Sequence, residues 1–127
     1  MQDTIKALIC DPSALFRRTL RWVLKTSQAR VEVTEAESID EALHILEHQR
    51  QDIVFMDIVY PRGHGVNLIA EIRKILPDGL IFVVSSFDSA EYREASIEKG
   101  ADYFLPKARP GSMSLVDVVH STLCNIK

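Results

Sequence analysis

Features that mark several protein classes are scarce in this chain of 127 residues. Its two cysteines, Cys10 and Cys124, lie near opposite ends of the chain and follow no metal-ligand spacing, so we expect both to be reduced thiols. No apolar run approaches the roughly 18 residues of a membrane-spanning helix, and no signal peptide precedes the first apolar segment. The sequence therefore predicts a cytoplasmic protein that is neither secreted nor embedded in a membrane.

An excess of charge of either sign is also missing. Lysine and arginine together number 15 and aspartate and glutamate 18, which gives a net charge of -3, and no basic cluster occurs. A protein that grips nucleic acid needs a concentrated basic face to neutralise phosphates, so we expect no direct contact with nucleic acid. The sequence has no internal repeat and no linker-like stretch. Because a domain averages about 150 residues, we expect a single domain over residues 1–127.

Short apolar segments alternate with segments of helical spacing along the chain. The strand-like segments lie at residues 5–10, 31–36, 53–56, 80–84 and 103–105. Helical spacing follows each of them, as in Phe16, Leu20, Val23 and Leu24 after the first. Strands that alternate with helices form a parallel sheet with helices on both faces, because each crossover between parallel strands needs a helix. The sequence therefore predicts an α/β, doubly wound fold with five parallel strands.

The second helix carries the most detailed prediction. Ser38 and Glu41 have the spacing of a capping box at its start, and the helical pattern reaches about His48. The expected buried face consists of four apolar side chains, Ile39, Ala42, Leu43 and Leu46.

Polar residues end four of the five strand-like segments, and they are Asp11, Asp57, Ser85 and Lys107. Ligands of open α/β sheets bind at the carboxyl ends of the strands, so we expect these four side chains to lie together. Two neighbouring carboxylates favour a hard divalent cation such as Mg²⁺, and a lysine with a hydroxyl suits a phosphoryl group. Each residue alone also has an ordinary explanation: Asp11 as a helix cap, Ser85 as a turn residue and Lys107 as a solvated surface group. The occurrence of all four residue types at the ends of strands favours a functional site over these separate explanations.

These segments resemble the receiver domains of bacterial two-component response regulators, and the resemblance covers essentially the whole chain. The segments that carry it are residues 7–11 (ALICD), 52–57 (DIVFMD), 83–86 (VVSS) and 100–107 (GADYFLPK), with Pro61 and Gly65 between them. The resemblance implies the flavodoxin-like (βα)5 fold with strand order 2-1-3-4-5.

The resemblance also implies an activity. Asp57 would accept a phosphoryl group from the phosphohistidine of a histidine kinase or phosphotransfer protein. The cofactor would be Mg²⁺, held by Asp11, Asp57 and the backbone carbonyl of Val59. Such a domain promotes phosphoryl transfer to its own aspartate and is not a turnover enzyme. Lys107 would pair with the phosphoryl group.

Switching is implied by the same resemblance. Ser85 would hydrogen-bond the phosphoryl oxygen, and Phe104 would be the aromatic side chain that moves in response. The surface of the fourth helix, fifth strand and fifth helix would then change its affinity for a partner. Such a partner is an output domain, often DNA-binding, beyond residue 127, or a second copy in a homodimer. The sequence leaves open whether the chain is a stand-alone receiver or part of a longer regulator.

The sequence departs from the family pattern at several positions. The family has two adjacent acidic residues after the first strand, and Cys10 takes the place of the first, so we expect weakened Mg²⁺ binding. Ala108 replaces the proline after Lys107, which predicts a trans peptide bond. Val59 and Phe87 are apolar where a polar side chain would orient water, which predicts slow autodephosphorylation.

Two other functions compete with the phosphoacceptor interpretation. A degenerate receiver could serve as a phosphorylation-independent docking or dimerisation module, if Cys10 and the altered loop after Lys107 have disabled the switch. A flavodoxin-like enzyme or nucleotide binder would share the fold, because fold alone does not fix function. The sequence disfavours this second alternative, since residues 11–14 (DPSA) do not form a glycine-rich phosphate loop.

Overall fold

The computed structural model describes residues 4–58, 65–86, 89–107 and 115–126. Strands and helices alternate as the sequence predicts. In chain order they are β1 (Ile5–Cys10), α1 (Ala14–Lys25), β2 (Val31–Ala36), α2 (Ile39–His48), β3 (Ile53–Met56), α3 (Gly65–Ile75), β4 (Leu80–Ser85), α4 (Ala90–Lys99), β5 (Tyr103–Pro106) and α5 (Leu115–Ile126).

The five strands form one parallel sheet in the order β2-β1-β3-β4-β5. The doubly wound fold and the strand order are therefore confirmed. The last two strands each run one residue further than the apolar pattern predicts, because Ser85 and Pro106 remain in register with each other. Within the described residues every peptide bond is trans.

Two apolar clusters cover the two faces of the sheet. One face packs against α2 and α3 through buried side chains that include Ala42, Leu46 and Ile69. The other face packs against α1 and α5, with Leu20 and Val119 among the buried residues. The central strand β3 is buried throughout, as its uninterrupted apolar sequence predicts. The core thus fixes the sheet rigidly and leaves the ends of its strands free to build a site.

Serine side chains begin the helices next to the strand ends. Ser13 caps α1 by accepting a hydrogen bond from the Phe16 N–H at 3.1 Å. Asp11 is therefore not the cap of α1; its Oδ1 instead accepts from the Ser13 N–H at 2.8 Å. Capping by a short polar side chain stabilises a helix by about 1 kcal/mol.

The face that α2 buries is shifted from the predicted one. Ala42 and Leu46 are buried as expected, and Ile45 is buried with them, whereas Ile39 and Leu43 are only partly buried. The cap at Ser38 is confirmed, since its Oγ accepts from the Glu41 N–H at 3.1 Å.

Candidate functional site

Three of the four predicted polar residues are buried at one edge of the sheet. Asp11 follows β1 and Asp57 follows β3, and each is only 1% exposed. The two strands pair directly, with Cys10 opposite Met56, so the next residue of each strand lies at the same edge. Ser85, which ends β4, is fully buried. The amide N–H of Lys107 donates to the Ser85 carbonyl at 2.9 Å, which brings the end of β5 to the same place.

A single ammonium group joins the two carboxylates. The Nζ atom of Lys107 lies 2.9 Å from Oδ2 of Asp11 and 2.9 Å from Oδ2 of Asp57. Burial lowers the pKa of Lys107, but its hydrogen bonds to both carboxylates and their negative charge outweigh that effect, so the pKa lies above its ordinary value. Lys107 therefore carries its charge at neutral pH. The arrangement confirms the predicted meeting of Asp11, Asp57 and Lys107.

Backbone groups hold the second oxygen of each carboxylate. Oδ1 of Asp57 accepts from its neighbour's amide, the Ile58 N–H, at 2.6 Å. Oδ1 of Asp11 is held in the same way by Ser13. Both Oδ2 atoms are thereby aimed at the space that Lys107 occupies. One oxygen of each residue is fixed by the backbone, and the other faces the ammonium of Lys107.

The carboxylates fit a hard divalent cation. Oδ2 of Asp11 is buried, and the ammonium of Lys107, 2.9 Å away, is its polar contact among the described residues. A buried carboxylate oxygen in this position favours a positive charge beside it. No group of three or more histidine, cysteine, aspartate or glutamate side chains is gathered within the described ranges. The two neighbouring buried carboxylates suit a hard divalent cation, because such ions prefer oxygen ligands.

An arginine that the sequence analysis did not single out holds the loop after β1. Nη1 of Arg17 donates to the Asp11 carbonyl at 2.6 Å, and its Nε donates to Glu35 at 3.0 Å. Arg21 binds the other oxygen of Glu35 at 2.7 Å. Burial raises the pKa of Glu35, but the hydrogen bonds and charges of the two arginines outweigh it and leave the pKa below its usual value. The helical spacing of Arg17 and Arg21 on α1 is the sequence signal for this pair.

The proposed switch residues occupy β4 and β5. Phe104 is buried opposite Val83 of the neighbouring strand. Arg93 of α4 donates from Nη1 to the Phe104 carbonyl at 2.9 Å, and its guanidinium carbon lies 5.1 Å from the centre of the Phe104 ring. In this structure Phe104 is thus in the inward position, covered by α4.

Cys10 does not border the carboxylates in the way that the sequence suggested. Its side chain belongs to the apolar cluster under α2 and α3, and its Sγ lies 3.8 Å from the Ser38 carbonyl. Because side chains alternate along a strand, Cys10 shares its face with Leu8. Position 10 is therefore a core position and not part of the carboxylate site.

Some predicted features lie outside the described residues. They are the Val59 carbonyl, Phe87, the Lys107–Ala108 bond and the loop over 108–114. Along the part of the chain that the structure describes, no helix is both long enough and apolar enough to cross a membrane.

The chain is similar to several known proteins. It is 32% identical to "Response regulator MprA" of Mycobacterium sp. (strain KMS) over 103 residues, which cover 81% of this chain and 44% of that protein. The chain thus spans less than half the length of this relative. A solved response regulator from Burkholderia pseudomallei, described with a phosphorylated aspartic acid, a calcium ion and citrate, has a TM-score of 0.78 and 25% identity, covering 94% of this chain and 66% of that one.

A second solved structure supports the fold alone. A response regulator from Thermotoga maritima superposes with a TM-score of 0.81 at 23% identity, covering 98% of both chains.

The family model described as "Response regulator receiver domain" matches residues 7–118, most of the chain. The strand order, the clustered carboxylates and this match agree, and the chain belongs to the family of response regulator receiver domains.

Proposed function

We propose that this receiver domain accepts a phosphoryl group on Asp57 in a Mg²⁺-dependent step. The phosphoryl donor is the phosphohistidine of a sensor histidine kinase or a phosphotransfer protein. The observation that carries the proposal is the ammonium of Lys107 held 2.9 Å from both Asp57 and Asp11. A buried nucleophile with a fixed positive charge beside it suits transfer of a group whose oxygens are negative.

The reacting oxygen is Oδ2 of Asp57. Oδ1 is held by the Ile58 amide, whereas Oδ2 faces Lys107. Oδ2 forms a bond to phosphorus while the phosphorus–nitrogen bond of the phosphohistidine breaks, and the electron pair of that bond goes to the imidazole nitrogen. The product is an aspartyl phosphate. Lys107 offsets charge on the phosphoryl oxygens during this transfer.

The metal ligands are Asp11, Asp57 and the backbone carbonyl of Val59. The burial of Asp11 Oδ2, and its contact with a positive charge at Lys107, support Asp11 in this role. Mg²⁺ bound there supplies positive charge that neutralises the phosphoryl oxygens. The printed description of the Burkholderia pseudomallei structure, with its phosphorylated aspartic acid and calcium ion, is consistent with a divalent cation at such a site.

The output of phosphorylation passes through Ser85 and Phe104. A phosphoryl group on Asp57 adds hydrogen-bond acceptors beside the buried Ser85, which ends the strand paired to β5. Movement there shifts Phe104 and its contact with Arg93, and so changes the face made by α4, β5 and α5. That face binds an output domain, DNA-binding in regulators of this kind, or a second copy of the domain.

The domain extends over residues 1–127 in this proposal, with the family match over 7–118 as support. We place it in the cytoplasm, consistent with the free thiols of Cys10 and Cys124.

Intact-mass spectrometry after incubation with acetyl phosphate tests the proposal. We expect the mass of one phosphoryl group to be added with Mg²⁺, and no addition with a chelator or in Asp57→Asn. Asp52→Asn is a matched control, because Asp52 precedes β3 at the opposite end of the same strand. Loss of labelling in both variants, or labelling that persists in Asp57→Asn, would contradict the proposal. Absence of any labelling would favour the docking module.

A further inference from the structure

We infer that Phe16 is a positioning residue for Lys107, whose ammonium its aromatic ring holds between the carboxylates of Asp11 and Asp57. The inference deepens the proposed function and rests on it for its catalytic consequence. The contact itself stands on geometry alone.

The ring of Phe16 is the third partner of the ammonium group. Nζ of Lys107 lies 4.5 Å from the centre of the ring, within the distance at which a cation is attracted to the face of an aromatic side chain. The Lys107 side chain is 20% exposed, so this attraction acts in a partly desolvated place. Phe16 is itself half-buried and packs against the apolar cluster under α1 and α5. Two charged groups and one ring therefore surround a single ammonium.

The backbone ties the ring to the same carboxylate that the ammonium binds. Ser13 donates its N–H to Asp11 and accepts, through its hydroxyl, the N–H of Phe16. The ring of Phe16 contacts the ammonium of Lys107, and that ammonium forms an ion pair with Asp11. These four residues form a closed circuit of contacts. Its rigidity comes from the first turn of α1, so the ring has a fixed position from which to hold the lysine.

A divalent cation would compete with Lys107 for the two carboxylates, but not for the Phe16 ring. Carboxylate oxygens are the preferred ligands of hard divalent cations, so a metal bound there would weaken the hold of Asp11 and Asp57 on Lys107. An aromatic ring offers no oxygen to such a cation. The contact with Phe16 therefore persists when the two ion pairs are weakened, and it keeps Lys107 near Asp57 Oδ2 for the incoming phosphoryl group.

Simple apolar packing against the lysine stem is the competing explanation. Phe16→Leu would preserve packing and remove the ring, whereas Phe16→Tyr would preserve the ring. Trp22→Leu provides the matched control, because it removes a ring from the same helix at a residue that is 61% exposed and far along α1 from the capped end.

Nuclear magnetic resonance reads the contact without any phosphoryl donor or metal. A ring face close to Nζ moves the resonances of the neighbouring Lys107 ε-methylene protons upfield. We expect this ring-current shift in the unmodified protein and in Phe16→Tyr, and its loss in Phe16→Leu. Trp22→Leu should leave it unchanged. A shift that is absent from the unmodified protein, or that survives in Phe16→Leu, would overturn the inference.

The rate of labelling with acetyl phosphate and Mg²⁺ measures the catalytic consequence of the contact between Phe16 and Lys107. We expect Phe16→Leu to slow the labelling about three- to tenfold, and Phe16→Tyr and Trp22→Leu to label at the original rate. An unchanged rate in Phe16→Leu, or equal slowing in Phe16→Tyr, would overturn the positioning role while the proposed function stands. If the protein without substitutions takes up no phosphoryl group, the proposed function fails. The resonance shift alone then decides whether Phe16 contacts Lys107.

Discussion

Two buried carboxylates share one lysine at the carboxyl edge of this sheet, and that residue-scale fact determines much of the domain's expected behaviour. Asp11 and Asp57 are each almost fully buried, so their mutual repulsion is offset chiefly by the ammonium of Lys107. Removing one partner of a buried ion pair costs more than the pair contributes, because the remaining charges stay buried.

Lys107→Met should therefore destabilise the metal-free protein. We expect the free energy of unfolding at pH 7 to fall by about 1 to 3 kcal/mol, since both buried carboxylates then lose their ion pair with Lys107. Urea unfolding followed by circular dichroism measures the change. Lys99→Met, in the last turn of α4, replaces an exposed lysine and should be close to neutral. Equal effects of the two variants would contradict the role given to Lys107.

The acidic residue missing beside Asp11 gives another residue-scale prediction. Cys10 lies in the apolar core, so Cys10→Asp should lower the free energy of unfolding by about 2 kcal/mol or more without adding a metal ligand. Pro12 is exposed and directly follows Asp11, so Pro12→Asp should instead lower the Mg²⁺ concentration that gives half-maximal labelling. Measuring labelling against Mg²⁺ concentration separates the two variants. Tighter Mg²⁺ binding in Cys10→Asp would show that position 10 reaches the site.

Sequence reasoning located the central residues of the site but not their surroundings. Asp11, Asp57 and Lys107 were predictable because the carboxyl ends of parallel strands must meet at one edge. Phe16 was read only as part of the helical pattern of α1, because its contact with Lys107 depends on how that helix lies against the sheet. Cys10 was assigned to the place of an acidic site residue, whereas its side chain lies in the core. Side chains at the end of a strand alternate between the core and the site, so an assignment that is off by one residue exchanges the two.

At the scale of elements, α1 is fastened to the edge strand β2 by charge. Arg17 and Arg21 both bind Glu35, and Arg17 also holds the Asp11 carbonyl. The pKa of Glu35 is lowered from 4.5, because hydrogen bonds to the arginines and their charge outweigh its partial burial. A group with a lowered pKa contributes stability above its unfolded pKa, and the contribution disappears as pH falls through the folded value.

Glu35→Gln should therefore reduce the acid sensitivity of the fold. We expect the variant to be less stable than the unmodified protein at pH 7, and the difference to shrink as the pH falls below 4.5. Urea unfolding across this pH range measures it. Glu47→Gln, an exposed change on α2, is the matched control. A difference that stays constant with pH would contradict an electrostatic role for Glu35.

The start of α3 is closely fitted to the residue that follows Asp57. A side chain added at Gly65 would meet the backbone of Ile58. Ile58 directly follows Asp57, so its backbone cannot move without displacing Asp57. Gly65→Ala should lower the free energy of unfolding by about 1 to 3 kcal/mol and slow labelling of Asp57. Gly79→Ala should be milder, because the added carbon meets only the flexible side chain of Leu76. Equal labelling in both variants would contradict this account.

The elements themselves were largely predictable from the sequence. Uninterrupted apolar runs and helical spacing gave all ten in the correct order, because burial on both faces leaves a strong pattern in central strands. The exact face of α2 was not predictable, since the burial of Ile45 depends on how α2 packs against α3.

At the scale of the whole molecule, the two apolar clusters make the sheet a rigid platform with its chemistry at one edge. The face of α4, β5 and α5 connects to that edge through Ser85, Phe104 and Arg93. A change at Asp57 thus has a short path to this face through one buried core residue, Phe104.

Borohydride trapping tests the central claim, that Asp57 itself carries the phosphoryl group. Borohydride reduces an aspartyl phosphate to homoserine, and peptide mass mapping then identifies the residue. After incubation with acetyl phosphate and Mg²⁺, we predict homoserine at position 57, and none when Mg²⁺ is chelated. Homoserine at Asp11 or Asp52 in place of Asp57, or a phosphorylated protein that yields no homoserine, would contradict the account.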